Sequence, residues 1–518
     1  MSSDKSQKNR SVLYISSILA LLLVGFGLLT PTKMSKVVNA IFGFLTTDFG
    51  WLYLLSVAIF IIFVYGIAFS RFGNIKLGKD EDKPEFSKFQ WFSMLFGGGM
   101  GIGLVFWSIA EPMMHYIAPP FGQGGTAEAM RTAMRVTFFH WGIHPWVLYA
   151  IGGIALAYFQ YRKGLPQLIS SAFYPLLGDK IYGPIGKTID TLTVFATFFG
   201  VSTSLGLGSS QIATGIEYIW GIKATPGVTS AIIAVITILF TFATVSGLKK
   251  AMQFAANIKV WLSVAFMAFI FIFGGSVFIL NTFTDTIGGY FQNFIGQTVW
   301  MGNIDWLKGW TIFYWAWWLA CAPAVGQFVA RVSKGRTIRE CVVAVTLLPV
   351  GFSFIWLAIY GGAAFYLDKL SNGVIQAAVG ADYTTALFVT LKQLPLYQIT
   401  APLAILLIIA CFVALADSTT FVLAMLTSNG DMNPSKKLRG FWGLMEGAVT
   451  IMLILVGGKA TLQTLQTASI ASAFPFLFIM LIMCYSLYKG LQADHALEKK
   501  ETTAKYSGAE PQAIPELE

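Results

Sequence analysis

Twelve runs of about 20 apolar residues follow one another along this chain and decide most of what it can fold into. Within a few residues each, they lie at 12–30, 51–70, 92–117, 138–160, 190–215, 228–246, 254–280, 310–330, 342–366, 400–428, 440–457 and 469–488. Lipid cannot satisfy backbone polar groups, so runs of this length read as membrane-spanning helices, and the fold class is all-α integral membrane. The first run is too long for a signal-peptide core and no small-residue cleavage site follows it, so it is expected to stay. Charged residues are only 12% of the 518, and no segment between the runs offers a second soluble domain. The expected layout is a tail at 1–11, a transmembrane body at 12–488 and a tail at 489–518.

Basic residues give the orientation. With the N-terminus cytoplasmic, 25 of the 35 Lys and Arg residues fall in inner segments and 9 in outer ones. That bias places both termini in the cytoplasm of a multi-pass plasma-membrane protein. The net charge of +10 is then a matter of topology, and a nucleic-acid partner is not expected. One basic residue, Lys259, is left inside a span. An ionisable group there faces a cavity or a partner, or else snorkels to the interface.

Nothing in the chain supplies enzyme chemistry. Cys321, Cys341, Cys411 and Cys484 are unspaced and read as free apolar thiols. His115, His140, His144 and His495 are scattered and suggest no metal cage, so neither cofactor nor metal is expected. The segment 281–309, with "DTIGGYFQNFIGQT", reads as a surface amphipathic piece. The last dozen residues read as disordered.

Two features within the spans carry more information. "FGGGMGIGLVFW" (96–107) puts five glycines into seven residues, each weakening a helix by about 1 kcal/mol against alanine. Close helix packing explains such a stretch, and so does an unwound helix whose freed backbone groups bind a solute at the midplane. "WTIFYWAWWLACAP" (310–323) holds four tryptophans and a tyrosine within nine residues. On a helix Trp310, Tyr314, Trp317 and Cys321 share a face, flanked by Trp315 and Trp318. A second cluster, "HWGIHPWVLY" (140–149), adds Trp141, Trp146 and Tyr149. Packing explains any single ring. Two clusters beside a broken helix point instead to a box for a quaternary ammonium, which ring faces attract without needing a hydrogen from it.

These stretches, together with "TSLGLGSSQI" (203–212), "WTIFYWAWWLACAPAVGQFVARVSKGRTIRE" (310–340) and "LADSTTFVL" (415–423), resemble the betaine/choline/carnitine transporter family from about residue 12 to 488. The resemblance implies twelve helices, with a leucine-transporter-like five-plus-five inverted repeat (about 92–280 and 310–488) after two extra helices. It also implies a homotrimer. By matching motif, Trp141, Trp146, Tyr149 and Trp318 form the box, with Trp317 and Cys321 beside them. The backbone of Gly99, Met100, Gly101 and Gly103 faces the carboxylate end of the substrate. Relatives specific for glycine betaine usually carry another tryptophan where Cys321 stands. Choline-type relatives tend to place an aspartate at the position of Gly103, so a zwitterion such as glycine betaine or carnitine is expected.

Coupling is also read through the resemblance. Sodium-coupled members use hydroxyls just before the Asp-Ser pair; here Ala414 and Leu415 precede Asp417 by three and two residues. A second sodium site uses two threonines a turn apart, where this chain has Thr197 and Val201. Hard cations want oxygen, which Ala, Leu and Val side chains do not offer. Lys259 aligns with an arginine of the sodium-independent carnitine/γ-butyrobetaine antiporters, whose charge stands in for sodium near the carbonyls equivalent to Gly97 and Met100. Sodium-independent transport is therefore expected, by exchange ahead of proton symport; the alternative is sodium-coupled uptake of glycine betaine or choline for osmoprotection. The C-terminal tail is not strongly basic, so transport indifferent to osmolality is expected.

Overall fold

The computed structural model describes residues 10–99, 101–246 and 249–507, and every regular element among them is helical. The one strand-like contact among these residues is an isolated bridge between Lys76 and Thr337. Each of the twelve apolar runs falls on helix. Ten helical stretches among the described residues are long and apolar enough to cross a membrane, judged by length and composition. The difference has two physical sources: the third run is split in two short helices, and the last two runs join in one stretch, 436–496.

The first segments are α1 (Ser11–Leu29), α2 (Pro31–Asp48) and α3 (Gly50–Phe69). Residues 31–50 lie between the first two apolar runs, and there α2 buries Met34, Val38 and Leu45 on one face. That stripe is amphipathic rather than apolar throughout, so a search for spans passes over it. The third run becomes α4 (Lys88–Gly99) and α5 (Ile102–Ile117), with extended Gly101 (φ −115°, ψ 165°) capping α5. Met100, expected at the substrate and at the coupling site, lies outside the described residues.

The fourth run is also broken, which its sequence did not suggest. It comprises α6 (Ala127–Trp141) and α7 (Ile143–Ala157), hinged at Gly142. A Cβ there would stand 2.6 Å from the Phe138 carbonyl oxygen and 2.7 Å from the Tyr290 hydroxyl, so only glycine fits the bend. Next come α8 (Pro184–Trp220), α9 (Pro226–Ser246), α10 (Lys249–Phe273) and α11 (Ser276–Thr298). The seventh run was expected to continue to residue 280. It stops where Gly275 takes a left-handed φ of +88°, and α11 then turns away. This helix holds the stretch expected to be amphipathic: Ile279 and Tyr290 are buried, while Val277, Phe291 and Ile295 are exposed.

The remaining long helices are α12 (Thr311–Val332), α13 (Ile338–Leu370), α14 (Tyr397–Leu426), α15 (Lys436–Gly457) and α16 (Thr461–Ser507). α12 lies at the centre, packed on α7, α8 and α16. Its crossing with α7 is close because a Cβ on Gly326 would lie 3.0 Å from the Gly152 backbone. α16 continues past the last apolar run, and Asp494 ties it to the end of the α7 region. That carboxylate accepts from the Tyr158 hydroxyl and from Arg162 Nε, each at 2.9 Å, and pairs with Lys163. Arg162 also reaches Asp80 at 2.7 Å, which holds the Asp80 carboxyl below the usual carboxylate range.

Candidate substrate cavity

The two helix breaks and the centre of α12 meet at one cavity of about 140 Å³. Its wall includes Gly98, Gly101 and Gly103 from the first break, and Trp141, Trp146 and Tyr149 from either side of the second. α12 adds Trp317, Trp318 and Cys321, while Val201 and Ser204 (α8), Ser353 (α13), Leu415 and Thr419 (α14) close the rest. Residues separated by more than 300 positions are thus brought around one space, and the rings expected from sequence are among them.

Ring geometry gives this space its character. Trp317 and Trp318 stack with centroids 4.8 Å apart at 13°, and Trp141 meets Trp318 edge-on at 4.8 Å and 73°. Tyr149 stands edge-on to both Trp146 (5.3 Å) and Trp318 (6.4 Å). Three indole N–H groups are already spent on protein acceptors. Trp141 donates to Glu111 Oε2 at 2.7 Å, Trp317 to the Gly200 carbonyl at 3.1 Å and Trp318 to the His140 carbonyl at 3.1 Å. The cavity therefore meets ring faces and edges rather than these donors, which suits a ligand head that is apolar in shape and cationic in charge.

Gly103 is required for this arrangement. A Cβ on it would lie 2.5 Å from the Trp317 ring and 3.3 Å from that of Trp141. Gly97 and Gly101 have open space at the same test, so their freedom serves the backbone break rather than ring packing. Overpacking of this kind costs about 1–3 kcal/mol. Gly103→Ala is accordingly expected to weaken ligand binding about tenfold in a fluorescence titration while the protein still elutes as a single species. Unchanged affinity would show that Trp317 yields freely.

Not every aromatic residue of the motif faces the cavity. Trp310 precedes α12, packs on His115 at 4.3 Å and Trp107 at 5.4 Å and stacks on Tyr314 at 6.5 Å and 21°, but it is not among the residues lining the cavity. Trp315 turns the opposite way and stacks on His144 at 5.1 Å and 7°. A larger cavity of about 250 Å³, lined by Phe121, Arg135, Gln297, Trp300 and Trp306, lies on the far side of Thr311 and Phe139. It contains none of the six box residues expected from sequence.

Behind the ring wall is a polar hub that the sequence did not disclose. Two of the four histidines read as scattered are brought together: Glu111, His115 and His140 place their ligating atoms within 4.8 Å of one another, all buried. Glu111 Oε1 meets His140 Nδ1 at 2.6 Å and His115 Nε2 at 3.3 Å. Its Oε2 accepts from Trp141 at 2.7 Å and from the Tyr314 hydroxyl at 2.5 Å. His140 Nε2 pairs with Thr311 Oγ1 at 2.9 Å. With each imidazole proton on the nitrogen facing Glu111, four donors converge on one carboxylate and fix the orientation of Trp141. The spacing of Glu111 and His115, one turn apart, was legible; the arrival of His140 from another helix was not.

The residues expected to govern coupling are more dispersed. Val201 and Leu415 line the cavity with hydrocarbon. The Thr197 hydroxyl is buried and donates to the Thr193 carbonyl at 2.9 Å. Gly97 lies in α4 and Ala414 in α14, neither among the lining residues, and Asp417 is paired with Arg439 of α15 at 2.5 Å. Lys259 is half-buried on α10, which packs on α14, and its charge acts on Cys411. Cys411 sits one turn before Leu415. The four cysteines are free thiols, as expected.

Comparison with known proteins agrees with this geometry. Residues 11–496 match the model of the BCCT, betaine/carnitine/choline family transporter. The chain is 73% identical to the "Probable glycine betaine transporter" of Desulfitobacterium hafniense (strain Y51), over 96% of this chain and 100% of that one. It is 44% identical to the "Glycine betaine transporter OpuD" of Bacillus subtilis (strain 168), over 95% and 96%. It is also 42% identical to the "Ectoine/hydroxyectoine transporter" of Virgibacillus pantothenticus, over 94% and 97%. The chain is a multi-pass membrane transporter, not an enzyme, and belongs to the betaine/carnitine/choline transporter family.

Proposed function

We propose that this protein is a secondary active transporter of a small quaternary ammonium zwitterion, with glycine betaine as the first candidate and carnitine next. The observation that carries this reading is the cavity lined by four tryptophans, three of whose N–H groups, those of Trp141, Trp317 and Trp318, are bonded to protein acceptors while their rings surround the space. The name of the relative at 73% identity supports the same substrate. Gly103 supports a zwitterion over choline, since no carboxylate stands between Gly97 and Val105. The test is uptake and exchange of labelled glycine betaine by purified protein in liposomes, with carnitine, choline and ectoine as competitors. Accumulation or exchange of glycine betaine is expected. Choline competing more strongly than betaine and carnitine counts against the zwitterion, and no movement of any of these solutes counts against the whole reading.

The finer architecture belongs to the same proposal: twelve spans with both termini cytoplasmic, a five-plus-five inverted repeat, and a homotrimer in the plasma membrane. Transport is taken to be independent of sodium. Support comes from the hydrocarbon at Ala414, Leu415 and Val201. Sodium-coupled uptake is the second reading, favoured by the Ser204, Ser353 and Thr419 hydroxyls of the cavity wall.

A further inference from the structure

Glu446 lies on α15 with only 1% of its surface accessible, and neither carboxylate oxygen makes a hydrogen bond among the described residues. It belongs to a stretch apolar enough to cross a membrane. A polar side chain facing it is Thr419 of α14, and Thr419 is itself part of the cavity wall. One turn before Thr419 on the same helix is Leu415, which lines the cavity with hydrocarbon where a cation would need oxygen. An acid group is thus separated from the substrate space by one side chain, at the place where a cation's ligands are missing.

The surroundings leave this acid without a compensating charge. α9, packed on α15, contains no ionisable side chain, and α1 carries only Tyr14. On α14 and α15 the charged pair nearest in sequence is Asp417 with Arg439, satisfied by one another two turns away. α8 holds Lys187, Asp190 and Glu217 towards its ends, and Asp190 is bonded to Ser170. α2 holds Lys33, Lys36 and Asp48, and along its apolar run α16 holds Cys484, Tyr485 and Tyr488. Among the described residues no ion pair is formed by Glu446. A carboxylate buried in a span without a partner is costly, so the group holds a proton while the cavity is closed.

We propose that Glu446 is the proton-binding site that couples transport to a proton gradient, loading and unloading through the cavity beside Thr419. The inference rests on the transport reading above and selects proton coupling within it. In the loaded state the carboxyl O–H is intact. When the cavity opens to the low-proton side, water solvates the group beside Thr419, the O–H bond breaks and the proton leaves to that water. The carboxylate that remains is stable only while hydrated, so closure around it is disfavoured until it is reprotonated. The site needs no metal, oxidant or second reactant.

Proteoliposomes with an alkaline interior are expected to accumulate glycine betaine at least fivefold over vesicles at equal pH, and a protonophore should abolish the difference. Glu446→Gln, a permanently protonated mimic, should lose at least nine-tenths of the gradient-driven accumulation yet keep betaine–betaine exchange within threefold of the wild type. Should the glutamine variant also fail in exchange, Glu446→Asp decides. It must retain gradient-driven uptake with a displaced pH midpoint, and an aspartate variant indifferent to the gradient overturns the proposal. Wild-type exchange without any response to the gradient, or full gradient response in Glu446→Gln, also overturns it. Wild-type protein that moves no betaine at any pH sinks the transport reading and this one with it.

Discussion

Replacing Trp318 by leucine is expected to weaken glycine betaine binding 30- to 100-fold while the protein still folds and elutes as the wild type does. Trp318 touches three other rings of the cavity: it stacks on Trp317, meets Trp141 edge-on and stands against Tyr149. A desolvated cation–π contact is worth about 2 kcal/mol, and each 1.4 kcal/mol is a tenfold change in affinity. Direct loss of one ring face thus accounts for about 30-fold. The remainder comes from neighbours that lose their support, since the Trp318 N–H also anchors the α12 wall to the His140 carbonyl. Trp220, 60% exposed at the end of α8, serves as the control, and Trp220→Leu should leave affinity unchanged. Titration by intrinsic fluorescence checks both, with uptake as a second readout. Affinity within threefold of the wild type in Trp318→Leu would mean the rings are packing alone.

How far such a site is legible in sequence depends on the range of the forces that build it. The first break and the rings are local signals. Five glycines in seven residues announce a weakened helix, and α4 does stop at Gly99 before α5 begins at Ile102. Trp317 and Trp318 could be placed on a helix face because a span of that length in lipid has no other regular choice. The direction each ring finally takes was not local. Trp315 turns to His144, and Trp310 caps α12 with its ring against His115, contacts that come from other helices. The Glu111 hub was illegible for the same reason: its donors come from three helices and converge only after packing. Gly142 resembled any small residue of a span until Tyr290 of α11 arrived against it.

Transport is expected to persist when sodium is replaced by N-methylglucamine, and Lys259→Ala is expected to reduce it at least tenfold. A cation bound near the broken helix must meet oxygen, and the side chains of Ala414, Leu415 and Val201 offer it none. Lys259 offers a fixed positive charge in their stead. It sits on α10, packed on α14, and acts on Cys411, which shares a face of α14 with Leu415 one turn on. An ammonium within a span is retained when it does something there, since placing it in hydrocarbon costs about 2.5–3.5 kcal/mol. Removing it should leave the α10–α14 contact without that charge. Lys259→Arg keeps the charge and is expected to retain at least a third of the activity, which separates electrostatics from packing. The measurement is initial uptake of labelled glycine betaine into proteoliposomes, with and without sodium and with and without betaine preloaded inside. Alanine and arginine variants failing alike would assign Lys259 to packing. Wild-type uptake that collapses without a sodium gradient would return the chain to the sodium-coupled branch and require ligands from Ser204, Ser353 or Thr419.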